Sequence, residues 1–359
     1  MFFASDNGLG ASDKVMQAIS AANGGARLGY GNDDATKAVV SKLCDLFERE
    51  VGVYMVATGT AANGLALSTM TPPWGIVLCH DESHVIEDEC CGPEFFTGGA
   101  KLVGIPGRGA KITAEALSAT IASLGRRVPH NAPIHALSIT QSTELGQVYS
   151  VEEVTALSAI ARANGLGVHM DGARFANAVA ALGCTPAEIT WKAGVDVLSF
   201  GTTKGGGLAC EALIYFDPAK GAEMVRRRMR AGHLLSKHRF LAAQMDAFLD
   251  GGHWLDLARH ANAAAQRLAK GLSTIPCVRL PIVPEANGLF PIFRQEIVDA
   301  LKAEGAAFYP WPDKGLPEAE RARPGEQMMR LVTSFATRDE DIDRFLAIAA
   351  EAARPLAAE

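Results

Sequence analysis

The chain has no apolar run near the ~20 residues that a membrane-spanning helix needs. It carries no internal repeat and no low-complexity segment. Its opening, MFFASDNGLG, has no basic stretch before a long apolar core, so no secretory leader is expected there. Positive charge is not in excess: 34 Lys and Arg stand against 40 Asp and Glu, a formal −6. That balance argues against nucleic acid or an anionic membrane as the main partner. VRRRMR (225–230) has no interleaved aromatics and reads as a solvated helix face or a subunit contact.

Two familiar signatures are incomplete. GTTKGGG (201–207) lacks the G-x-x-x-x-G-K-[ST] spacing of a phosphate loop. HDESH (80–84) is not a helical H-E-x-x-H motif, because Asp81 follows His80 and His80 ends a strand-like run. No metal is expected. The seven cysteines are an odd number, and most sit in apolar runs. They predict a reduced, cytoplasmic protein that uses cysteine as a small core residue, with Cys90 and Cys91 as plain thiols.

What is present is an ordinary globular composition: 359 residues, 48% hydrophobic and 21% charged. This is enough for one large domain and a smaller one. GIVLCH (75–80), AKLVGIP (100–106), IHALSIT (134–140), LGVHMD (166–171), VDVLSF (195–200) and EALIYFD (211–217) read as strands that are apolar on both faces. Between two of them, SVEEVTALSAIARANG (150–165) reads as a helix. Ser150 is its N-cap, Glu152 and Glu153 suit its first turn, and Gly165 stops it. Strand–helix–strand repeats predict an α/β fold with a mostly parallel sheet covered by helices. After Asp250 the pattern changes to a long amphipathic helix, short strands and closing helices. The division is expected near Gly251: a large domain over 1–250 and a small α+β domain over 251–359.

Lys204 follows a strand and precedes three glycines, which would let another body approach the backbone. Carboxyl ends of strands form the ligand crevice of doubly wound sheets, and an amine enclosed there is a good imine former. Other strand ends add parts. Asp171 closes LGVHMD, with Arg174 three residues on; a carboxylate there could keep a heteroaromatic ring nitrogen protonated. ATGTAAN (57–63) is a turn into a helix, a ready phosphate site. His84 follows the GIVLCH strand. A phosphate cradle, an imidazole, a carboxylate and an amine are together the parts that hold pyridoxal phosphate.

The ordered set ASDNGLGAS (4–12), RLGYGNDDATK (27–37), ATGTAAN, VHMDGARFANAV (168–179), TTKGGG (202–207) and MRLVTSFAT (329–337) resembles the low-specificity L-threonine aldolases. The resemblance covers nearly the whole chain. It implies the aspartate-aminotransferase-like fold, a seven-stranded sheet and pyridoxal 5'-phosphate as cofactor. It implies that Lys204 binds the cofactor covalently, that Asp171 pairs with the ring nitrogen and that His84 stacks on the ring. It implies that Gly59 and Thr60 bind phosphate, that Arg174 lies by the cofactor and the substrate carboxylate, and that Ser5 and Arg330 hold that carboxylate. The substrate would be a small β-hydroxy-α-amino acid, split to glycine and an aldehyde. A homotetramer with active sites between subunits would be the assembly.

There are departures from the family. Where many members read Glu-Asn-Thr-His, this chain reads TQSTELG (140–146), so Thr143 stands where a second histidine is expected. The glycine-rich segment that reaches a neighbour's phosphate is RMRAGHLLSK (228–237), with Arg228 matching one basic residue and Lys237 a candidate for another. Other reactions on the same scaffold (β-elimination, racemisation, transamination) stay open. So does a non-catalytic cofactor-binding module.

Overall fold

The apolar runs assemble into one seven-stranded sheet in a computed structural model that describes residues 1–357. The strands are β1 (Gly52–Val56), β2 (Ile76–His80), β3 (Lys101–Ile105), β4 (Ile134–Thr140), β5 (Gly167–Gly172), β6 (Val197–Gly201) and β7 (Glu211–Tyr215). Their spatial order is β1-β7-β6-β5-β4-β2-β3. The β3–β2, β2–β4, β4–β5 and β5–β6 pairs are parallel, while β7 runs antiparallel to both β6 and β1. The mostly parallel sheet read from the sequence is therefore present, with one reversed strand that apolar composition does not mark. The reversal matters for the site: it turns the first residue of β7, Glu211, toward the edge where the other strands end.

The helix over Val151–Ala163 follows its sequence signals. The Ser150 hydroxyl accepts from Glu153 N, and the Glu153 carboxylate accepts from Ser150 N, a capping box. Such a cap contributes about 1 kcal/mol. Gly165 has φ +72° and ends the helix in the left-handed conformation.

A second, antiparallel sheet follows: β8 (Gly288–Leu289), β9 (Ile292–Arg294) and β10 (Tyr309–Pro310) all pair with β11 (Glu326–Val332). The helix His253–Leu272 lies between the two sheets and divides its buried face between two cores. Trp254 and Ala258 pack with the large sheet, Trp254 against Phe175 and Phe200, while Ala264 to Leu272 pack with Phe293, Leu331 and Phe345. The chain's first residues join this second core. Phe3 N donates to Ala307 O (2.8 Å), Val332 N donates to Phe3 O (2.9 Å), and the Phe3 ring lies edge-on to Phe345. This edge pairing sets Ser5 beside Arg330. Among the described residues, no helix is long and apolar enough to cross a membrane.

Candidate active site

Strand register decides which side chains meet. Thr140 pairs with Asp171, Asp171 with Ser199, and Gly201 with Glu211, so the ends of β4, β5, β6 and the start of β7 form one row. Side chains alternate along a strand. His169 and Asp171 therefore share a face. His169 is buried between Ser138 Oγ (2.8 Å) and Ser199 Oγ (2.9 Å), and burial pushes its pKa down to about 4, so it is a neutral strut. Asp171, two residues on, reaches the cavity. Its Oδ1 accepts from Ala173 N (2.9 Å) and its Oδ2 from Asn63 Nδ2 (2.8 Å).

Asn63 belongs to the helix Gly59–Met70, whose cap is Thr58; the Thr58 hydroxyl accepts from Ala61 N. The start of a helix leaves its first N–H groups without intrahelical partners, here those of Gly59 and Thr60, and its dipole favours an anion. The same helix thus offers an anion site at its start and the Asp171 partner one turn later.

His84 opens the short helix His84–Glu87 after β2. Its Nδ1 lies 2.8 Å from the buried carboxylate of Glu89, which also accepts from Asn63 Nδ2 (2.9 Å). The bond to Glu89 raises the His84 pKa. Burial raises Glu89 as well, but its bonds to His84 and Asn63 oppose that, so we place the proton on the imidazole. A chain His84–Glu89–Asn63–Asp171 results, and the sequence reading missed its two middle members.

Lys204 sits in the turn after β6. The glycines behind it have steric work: Gly206 has φ +122°, and a Cβ on Gly207 would lie 2.4 Å from Thr202 Oγ1. The chain doubles back tightly there, and Lys204 is aimed into the cavity. Enclosure lowers the Lys204 pKa, and the nearby Arg174 charge adds to the fall. A lysine amine in this state is a better nucleophile than one in water. Glu211 lies beside it, accepting from Thr202 N (3.1 Å), and burial pushes its pKa up to about 7.

Two adjoining cavities meet here. One, of about 60 Å³, is lined by Gly59, Thr60, Asn63, His84, Asp171, Ser199 and Lys204 among others. The other, of about 210 Å³, is lined by Ser5, Asn7, Asn287, Trp311 and Arg330 among others. His84, Ser142, Glu144, Arg174 and Lys204 line both, so they form one cleft. A larger surface groove of about 910 Å³ lies away from this chemistry, beside Trp74 and Val128.

Arg174 is bidentate to Asp6: Nε to Oδ2 at 2.7 Å and Nη2 to Oδ1 at 2.8 Å. Asp6 also accepts from Asn287 Nδ2 (3.1 Å). Arg330 donates to Ala4 O (3.1 Å) and lies over the Trp311 ring, 4.7 Å from its centroid. The Ser5 hydroxyl caps the turn Asp6–Gly8 by accepting from Asn7 N (3.1 Å). Gly146 is pinned at the cleft wall: its φ is +73°, and a Cβ would sit 2.3 Å from Gly288 O.

Eight of the nine residues singled out in the sequence therefore line this cleft: Ser5, Gly59, Thr60, His84, Asp171, Arg174, Lys204 and Arg330. Arg228 does not. Its guanidinium is buried under Tyr54, donates to Met55 O (3.0 Å) and lies 3.1 Å from His238 Nε2, because its helix packs on β1 and not on the strand ends. Lys237 is exposed on a loop. Thr143 is spent on structure: its hydroxyl donates to Gly109 O (2.8 Å) and accepts from Gln147 N (3.1 Å). The three-residue set His80, Asp81 and Glu82 could bring ligand atoms together, but both His80 nitrogens are engaged, with Glu82 N (3.0 Å) and Gly107 O (3.0 Å). Asp6, Asn63, Glu89, Glu144, Glu211 and Asn287 were not foreseen. A carboxylate or amide in an apolar helix or strand was the available signal for Asn63 and Glu211.

The donor set fits pyridoxal phosphate. An enclosed amine, a carboxylate held by two hydrogen bonds and an imidazole share one cavity with a helix start able to take a phosphate. Ser142 Oγ, buried in both cavities and without a hydrogen-bond partner, is a further polar atom available to a bound group.

Comparison with known proteins agrees with this geometry. The β-eliminating lyase family matches residues 3–294. A low specificity L-threonine aldolase from a Pseudomonas species is 42% identical over 87% of this chain and 90% of its own length. The structure of Leishmania major threonine aldolase superposes with a TM-score of 0.89 at 26% identity, covering 98% of both chains. Serine palmitoyltransferase from Sphingomonas wittichii shares the fold, with a TM-score of 0.72 at 17% identity over 99% of this chain and 87% of its own. The chain belongs to the β-eliminating lyase family and, within it, to the low-specificity L-threonine aldolases.

Proposed function

We propose that this protein is a pyridoxal-phosphate aldolase that splits β-hydroxy-α-amino acids into glycine and an aldehyde. The observation that carries the reading is the meeting of Lys204, Asp171 and His84 with the start of the Gly59–Met70 helix in one cleft, in a chain 42% identical to a threonine aldolase.

Pyridoxal phosphate, when bound, supplies a conjugated sink for the electron pair left by a broken bond at the α carbon. Lys204 is the residue to hold it covalently, with a pKa already lowered by enclosure. Asp171 is oriented by Asn63 and Ala173 to keep a proton on the ring nitrogen. His84, its orientation fixed by Glu89, would line the cofactor's side of the cleft. Gly59 and Thr60 take the phosphate. Ser5, Arg174 and Arg330 take the substrate carboxylate; because Asp6 offsets the Arg174 charge, Arg330 supplies the net attraction. Holding that carboxylate fixes which bond at the α carbon is presented for cleavage.

We also read the chain as a large and a small domain dividing near Gly251, supported by two separate cores, with Phe3 crossing into the second core and Trp254 and Ala258 into the first. A homotetramer with active sites between subunits follows from the family resemblance. Exposed Phe95, Trp74, Val225 and Met229 are consistent with subunit contacts. The cytoplasmic reading rests on the seven free cysteines.

The test is incubation of the cofactor-loaded protein with both enantiomers of threonine, allo-threonine and phenylserine, with detection of aldehyde and glycine. Aldehyde release from the L-forms is expected. β-Elimination, racemisation or transamination without aldehyde would reject the aldolase reading and keep the cofactor site. Cofactor absorbance with no turnover of any kind would point to a binding module.

A further inference from the structure

We propose that Glu144 accepts the β-hydroxyl proton of the substrate during carbon–carbon cleavage. This rests on the aldolase reading. The need is set by Thr143, whose hydroxyl is committed to Gly109 and Gln147 and has no capacity as a base. His84 is poorly suited as well, since its bond to Glu89 favours the protonated imidazole.

Glu144, one residue beyond Thr143, lines both parts of the cleft together with Lys204 and Arg174. Its Oε1 accepts from His84 N (2.8 Å) and from Thr140 Oγ1 (2.8 Å), which ties the carboxylate to the end of β4. Its Oε2 is buried and has no hydrogen-bond partner. Leaving a buried acceptor without a donor is costly, and more so when it is charged. A substrate hydroxyl entering the cleft would supply the missing donor. The titratable and charged groups around the carboxylate are His84, Asp171, Arg174, Tyr149 and Cys79. Burial is the largest influence and pushes its pKa up to about 7, where a carboxylate is a far stronger base than in water.

The step balances. The O–H bond breaks toward Glu144 Oε2, a C=O bond forms at the β carbon, and the Cα–Cβ bond breaks with its pair left on the α carbon. The α carbon then gains one proton to become that of glycine. No oxidant or reductant is consumed.

The test is Glu144→Gln in the cofactor-loaded enzyme. Glutamine keeps an acceptor for His84 N and Thr140 but takes up no proton. Three quantities are read: aldehyde release from L-threonine and L-phenylserine, exchange of the glycine α-proton in heavy water by NMR, and the visible absorbance of lysine-bound cofactor. Exchange needs no hydroxyl base. Cleavage is expected to fall by about 10²–10⁴, with exchange and absorbance at the wild-type level. The fall of kcat/KM toward acid pH is expected to disappear in Glu144→Gln and to persist in Glu144→Asp. Wild-type cleavage by Glu144→Gln overturns the proposal, as does an unchanged acid limb. Loss of exchange along with cleavage also overturns it, because the residue would then be holding the site together. A wild-type enzyme that exchanges glycine yet releases no aldehyde overturns the aldolase reading itself, and this role with it.

Discussion

Arg174 grips Asp6 through two near-parallel hydrogen bonds, and the carboxylate is almost wholly out of solvent at 2% exposure. Burial alone would raise the Asp6 pKa. The Arg174 charge and bonds more than reverse this and hold it below the ordinary carboxylate value. Asp6→Ala strands a guanidinium that is itself largely buried. Breaking such a pair costs about 3–5 kcal/mol. We expect a drop of this size in urea unfolding at neutral pH. Because the folded pKa is depressed, the contribution is in place above about pH 4 and fades as the pH falls through the lower folded midpoint. A variant as stable as wild type at pH 7 would show that the pair contributes nothing.

Lys204→Ala is expected to lose the visible absorbance of covalently held cofactor and to slow cleavage by at least ~10²–10⁴. Absorption spectroscopy after cofactor addition, followed by an aldehyde assay, checks both. A yellow, active variant would remove the covalent role.

Asp171→Asn keeps the hydrogen-bonding shape but not the charge. Cofactor binding should persist, and turnover should fall by roughly 10²–10³. Equilibrium binding and single-turnover kinetics separate the two. Turnover near that of the wild type would reject the assigned partner for the ring nitrogen.

Glu89→Gln removes the carboxylate whose hydrogen bond raises the His84 pKa. The His84 midpoint, followed by NMR, should move down. The sign fixes the pH window. A raised folded pKa stabilises the protein below the unfolded value of about 6.5 and loses that effect as the pH climbs through the folded midpoint. The variant should therefore lose stability at acid pH relative to wild type, and less so at alkaline pH. An unmoved midpoint would mean that another group sets the protonation of His84.

The amino-acid sequence by itself determined the strands, the capped helix over Val151–Ala163 and the strand-end residues that line the cleft. These are legible because they depend on neighbours within a few positions: apolar runs, a cap three residues from its partner, a lysine beside glycines. Only the tertiary structure decided the reversed direction of β7, which turns Glu211 toward Lys204. It also decided the contacts that span the chain. Asn63 meets Asp171 across 108 positions, and Arg174 meets Asp6 across 168. Arg228 lies outside its own chain's cleft because its helix packs on β1, and no local pattern reports which surface a helix will choose. Side chains so distant in sequence come together only when sheet register and helix packing close the fold, so their pairing is written in geometry and not in spacing.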